Sequence, residues 1–165
     1  EKQVQVVTAV SNPWKARETL IDCHLAETNT FQFNKFQNQE DFIIGLLASF
    51  GDTDDKPGLV KLAGNATAEQ VVTLVDDGVT QAISVKSGAF AQDSQAVKGL
   101  VYLAPWRTFR DVSQPSSRFI FRVKKAGDVP QFALFEADGG AWKLEALENI
   151  ARKLSAGLTS ATVVS

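Results

Sequence analysis

The stretch Val71–Val85, VVTLVDDGVTQAISV, carries the clearest conformational signal in the chain. Two β-branched runs, Val71–Val75 and Val79–Val85, flank Asp76-Asp77-Gly78. Gly78 accepts the positive φ that a tight reversal requires, so the stretch reads as a β-hairpin turning at Asp77-Gly78.

The same period-two pattern recurs on either side. Gln3–Val10 reads as a strand that Ser11-Asn12-Pro13 then breaks. Arg17–Ala26 (RETLIDCHLA) admits two readings. Asn12 as a cap, with Pro13 at the first helical position, would start a helix. The alternation of Leu20, Asp22 and His24 with Ile21, Cys23 and Leu25 favours a half-buried strand instead. Leu59–Ala63 reads as a short strand, and further strands are expected at Gly99–Leu103, Thr108–Val112, Arg118–Val123 and Gln131–Glu136.

Two segments carry helical signals. Asn38 caps a helix over Gln39–Ser49, with Glu40 and Asp41 in the first turn, where the macrodipole favours acids. Trp142–Leu154 (WKLEALENIARKL) forms a C-terminal helix whose buried stripe is expected to be Leu144, Leu147, Ile150, Ala151 and Leu154. Gly51–Gly58 is a loop by composition, and Phe31, Phe33 and Phe36 are core anchors that cover one end of the sheet. The fold class is therefore α+β: an antiparallel sheet of about six to eight strands in hairpins, with a mid-chain and a C-terminal helix. Residues 1–158 form a single domain and 159–165 a tail.

Composition agrees with one globular domain. The chain has 165 residues, 44% of them hydrophobic and 22% charged, enough to bury a core without metal or disulfide staples. A single cysteine, Cys23, precludes an internal disulfide and reads as a small buried apolar residue. The sole histidine, His24, is its neighbour, and neighbours on a strand face opposite ways, so they form no nucleophile–base couple. One His and one Cys also exclude the usual zinc sites, and the inventory requires no metal or cofactor. The longest apolar run, Phe42–Phe50, is about half a bilayer span, so no membrane association is expected. Met is absent and the chain opens in a strand-like run at Glu1, which reads as a trimmed start.

Charge concentrates where function is sought. Trp106–Lys125 holds six cations against the single acid Asp111, although the net charge is −2. On the strand from Arg118, Phe119, Phe121 and Val123 face one way while Arg118, Arg122 and Lys124 face the other. Arginine forks suit phosphate and aromatic rings suit bases, so Trp106, Arg107, Arg110, Arg118 and Arg122 are candidate ligand-binding residues. A solvated face paired with acids such as Glu136 is the competing reading. Glu136 and Asp138, ahead of Gly139-Gly140, could hold a cation or an amine, or form a strand-to-helix turn with Asp138 as cap.

The segments FQNQEDFIIGLLASF, GLVKLAGN, DDGVTQAISVKSG, LAPWRTFRDVSQPSSRFIFRV and ALFEADGGAWKLEAL, in that order, resemble an uncharacterised family of proteins encoded by tailed bacteriophages and prophages, chiefly of Gram-positive bacteria. The resemblance runs from about Gln3 to Leu154 and brings no catalytic residues with it. It implies extra sequence before Glu1, a strand over Arg17–Ala26, and a location in the host cytoplasm or the virion. It also implies an accessory protein that works by oligomeric binding rather than catalysis. The expected partners are an anionic ligand or single-stranded nucleic acid, a protein, or further copies of the chain. A structural virion component and an enzyme acting on a phosphate-bearing substrate are the alternatives.

Gly78→Val is expected to lower the melting temperature, because a β-branched residue resists positive φ. An unchanged melt would count against the turn.

Overall fold

Antiparallel pairing organises every strand of the computed structural model, which describes residues 3–10, 16–25, 29–66, 71–76, 81–85, 99–160 and 162–163. Strand β1 (Gln3–Val7) pairs with β2 (Thr19–His24), and β4 (Val71–Asp76) with β5 (Gln81–Val85). A four-stranded sheet runs in the order β3 (Gln37–Asn38), β8 (Val129–Glu136), β7 (Ser117–Ala126), β6 (Leu100–Leu103). The strands thus form three sheets among the described residues, not the single sheet of six to eight expected. Alternation marks a run as a strand, and a hairpin partner satisfies that run locally without a common sheet.

The arms of the Val71–Val85 hairpin pair from Val71↔Val85 to Asp76↔Gln81, whereas Asp77 and Gly78 lie outside the described residues. The segment read two ways, Arg17–Ala26, is a strand over Thr19–His24. Its burial differs from expectation: all six of its residues are exposed, Cys23 included. The β1–β2 hairpin packs chiefly on itself, and Val4, Val6 and Val7 of β1 are no more than half-buried.

Helix α1 (Gln39–Ser49) starts as expected, with Asn38 Oδ1 accepting from the Asp41 N–H at 2.8 Å. Helix α2 (Asp55–Asn65) corrects two expectations, a loop to Gly58 and a strand at Leu59–Ala63. Pro57 sits in its first turn, where an N–H has no intrahelical acceptor to lose. Lys56, Leu59, Leu62 and Ala63 then recur at helical spacing and are buried. Gln39 Nε2 donates to the carbonyls of Ala63 (2.6 Å) and Ala66 (3.2 Å), tying the start of α1 to the end of α2.

Both helices cover one face of the four-stranded sheet. Phe119, Phe121 and Val123 of β7 and Phe132 and Leu134 of β8 lie beneath Phe42 and Leu46 of α1 and Leu59 of α2. The rings form a continuous column, with Phe42 at 5.3 Å from Phe132 and Phe33 stacked on Phe119 at 5.5 Å. Phe31 and Phe33 join this core, while Phe36 packs edge-on against Phe135 at 5.9 Å.

Two later expectations fail. Thr108–Val112 is a turn, because the Gln114 side chain takes its polar backbone groups: Nε2 donates to Phe109 O and Val112 O, each at 2.9 Å. Helix α3 (Trp142–Gly157) does not bury its leucine stripe; Leu144 is 69% and Leu147 49% exposed. Ala146 and Asn149 are its buried residues, and Asn149 Nδ2 donates to Ser113 O at 3.0 Å. The face of Trp142, Ala146 and Asn149 thus seats the helix, in part through a hydrogen bond that hydrophobic periodicity does not encode. No helix among the described residues is long and apolar enough to cross a membrane.

A Cβ at Gly45 would lie 2.7 Å from Cδ2 of Phe31, a buried ring of the core. Gly45→Ala is therefore expected to destabilise by about 1–2 kcal/mol, the overpacking outweighing alanine's better helix propensity. The urea midpoint measures this, and a raised midpoint would show that Phe31 yields freely.

Candidate functional site

The residues singled out in the sequence separate into three places. The first is a buried ionic cluster. Arg107 is only 4% exposed, and its Nη2 donates to Glu136 Oε1 at 2.6 Å. Its Cζ lies 4.6 Å from the ring centres of both Phe33 and Trp142, and 5.4 Å from that of Phe119. Cation–π contact on ring faces and one carboxylate suit a planar guanidinium taken out of water. Burial draws the Arg107 pKa down from its ordinary value while Glu136 and Asp138 oppose that, and an arginine stays charged.

Asp138 belongs to the same cluster. Gly139 and Gly140 adopt φ of 63° and 84°, and the Gly140 N–H donates to Asp138 Oδ1 at 2.9 Å. The strand-to-helix turn is thus present. The cation beside the two carboxylates is the chain's own guanidinium. Burial alone would raise the Asp138 pKa, but the Gly140 N–H, the Ser117 hydroxyl, Arg107 and the Trp142 N–H hold it below the ordinary carboxylate value.

The second place is the side of β7 opposite α1 and α2. Arg118 and Lys124 are exposed and Arg122 is half-buried, opposite Phe119, Phe121 and Val123, as the alternation implied. Glu136 is spent on Arg107 rather than on these cations. Arg118 instead donates through Nε (3.0 Å) and Nη2 (2.8 Å) to Ala137 O, and Lys124 Nζ stands 4.1 Å over the Phe36 ring.

Trp106 and Arg110 occupy the third place, a cleft of about 860 Å³ whose lining includes neither Arg118 nor Arg122. One wall is the end of the β1–β2 hairpin with His24; the others are the last turn of α1 and the segment Trp106–Asp111. Ser49 O fixes two of these walls, accepting from the Trp106 N–H and from Asn29 Nδ2, both at 2.9 Å. Trp106 is 39% exposed. Thr108 is buried, and its Oγ1 finds no hydrogen-bond partner among the described residues. An indole face, a guanidinium and an imidazole suit a planar ligand that carries an anion, with Asp111 the one acid on the wall.

Thr108 and His24 are contributions that sequence reasoning missed. A buried, unpaired hydroxyl has no sequence signature. His24 lies 3.2 Å from Asp22, on the strand face that alternation assigns to both. Among the described residues, no group of three or more His, Cys, Asp or Glu could hold a metal ion.

Arg107→Ala removes a cation, three ring contacts and the partner of Glu136, whose side chain is 37% exposed and so partly rehydrates. The expected loss is roughly 2–4 kcal/mol, against about 1 for Glu136→Gln, which keeps a hydrogen-bond acceptor. Equal melting temperatures for Arg107→Ala and wild type would refute the cluster's role. Asp138 has a depressed folded pKa, so its contribution is present above its ordinary value of 3.8 and is lost as pH falls through the folded value. Asp138→Asn should therefore flatten the acid limb of stability against pH, seen in melts between about pH 7 and pH 3.

No family model, curated protein or solved structure matches the chain.

Proposed function

We propose that the protein is a non-enzymatic binding protein, an accessory protein of the phage or prophage kind its segments resemble. It takes an anion-bearing planar ligand into the cleft beside Trp106. The observation that carries this reading is the Trp106 indole, 39% exposed on a cleft that Arg110 and His24 also line. An indole face turned to a cleft beside a guanidinium favours a planar ligand that carries an anion. A nucleotide, or the end of a single-stranded nucleic acid, has the matching chemistry. Its base stacks on the indole, worth about 1–3 kcal/mol, and its phosphate meets Arg110. The net charge of −2 favours recognition at this one place over a long-range field. Host cytoplasm and virion both hold such ligands.

Calorimetric titration with nucleotides and short single-stranded DNA and RNA, at low and moderate salt, tests the reading. Wild type should bind weakly, with Kd on the order of 10–1000 μM, and salt should weaken it further. Trp106→Ala should lose about tenfold and Arg110→Glu all detectable binding. Arg118→Glu with Arg122→Glu should leave binding nearly intact. If that pair abolishes it while Trp106→Ala does not, the site is the sheet face and not the cleft. No binding by wild type at low salt would overturn the reading, and turnover of any ligand would replace it with an enzyme acting on a phosphate-bearing substrate.

A further inference from the structure

Helix α3 carries an apolar seam that its own domain leaves uncovered. Leu144, Leu147, Ala151 and Leu154 follow one another at steps of three, four and three, the a/d spacing of a coiled coil, and Leu158 lies at the cap just beyond the helix. Leu144, Leu147 and Leu158 are 69%, 49% and 42% exposed, and Ala151 and Leu154 are half-buried. In the same heptad Trp142 and Asn149 take the position opposite the seam, and these residues join α3 to Arg107 and to Ser113. The seam therefore points away from the domain.

We propose that this seam is a docking surface for a second copy of the chain, helix against helix in an antiparallel two-fold pair. The flanking charges specify the occupant. Glu145 and Glu148 lie in the first half of α3 and Arg152 and Lys153 in the second, with Lys143 in the first turn the exception. An antiparallel pair sets Glu148 of each copy beside Arg152 of the other, whereas a parallel pair offers Glu148 only Lys143 of the second copy and gives Arg152 no acid there. The helix macrodipoles also oppose one another favourably only when the helices run antiparallel. In that register Leu144 meets Leu154 of the second copy and Leu147 meets Ala151, whose small side chain lets the helices approach. Such self-complementarity is what an isologous two-fold interface requires, and an unrelated partner would not demand it. A specific interface buries about 800 Å² per partner, and one short helix supplies roughly half of that. The dimer should therefore be weak, with Kd on the order of 10–100 μM.

Sedimentation velocity on the whole chain, from about 5 to 500 μM, reads this directly. The mean mass should climb from 17.9 kDa toward twice that value. Leu147→Glu should weaken association at least ~100-fold while circular dichroism stays unchanged. Glu148→Arg should weaken it and Glu148→Arg with Arg152→Glu restore it. In a Cys23→Ser background, an equal mixture of Leu147→Cys and Ala151→Cys chains should oxidise to a mixed dimer faster than either chain pairs with itself. A monomer at every concentration, a dimer that survives Leu147→Glu, or preferential self-linkage of Leu147→Cys would each overturn the proposal.

Discussion

The guanidinium of Arg107, held between the rings of Phe33 and Trp142 and bonded to Glu136, joins five parts of the chain. Phe33 belongs to the connection ahead of α1, Arg107 to the segment after β6, Phe119 to β7, Glu136 to the end of β8 and Trp142 to the start of α3. None of those segments pairs with all the others through backbone hydrogen bonds. The β7–β8 ladder and the Asn34 bonds to β8 already join three of them, and the planar cation, with two faces and an edge that a lysine lacks, ties the Arg107 segment and α3 to that frame. Because neighbours in an extended stretch point opposite ways, burying Arg107 also turns Trp106 outward, where it becomes a wall of the cleft. The same contact fixes which face of α3 meets the domain.

The cleft combines pieces of very different rigidity. Its floor belongs to α1 and to the Trp106–Asp111 turn, both anchored on Ser49 O and Gln114. Its remaining wall is the end of a two-stranded hairpin that leans chiefly on itself. A two-stranded ribbon is marginal on its own, so that wall is the part a ligand could reposition at least cost.

Local chemistry was legible from the sequence and long-range chemistry was not. The Asn38 cap, the alternation of β7 and the glycine turn after Asp138 each lie within a few residues of their consequences. Helix α2 was hidden because Pro57, Gly58 and Gly64 resemble breakers, although a proline in the first turn costs a helix little. The strand expected at Thr108–Val112 was undone by one glutamine side chain that binds backbone on both sides of the turn. The Arg107–Glu136 pair spans 29 positions, so the sequence showed two charged residues and not their union. Periodicity placed the apolar stripe of α3 correctly along the helix. It could not say that the opposite face, through Asn149, would be the one to dock.

Asp55, at the start of α2, accepts the Tyr102 N–H of β6 through Oδ2 at 2.7 Å. That carboxylate occupies the outer edge of the last strand of the four-stranded sheet, where an incoming strand would otherwise begin its ladder. The strand at the opposite edge, β3, is two residues long and offers almost no template. Among the described residues both margins thus offer an incoming strand little free backbone, so association through this layer falls to side chains rather than to backbone.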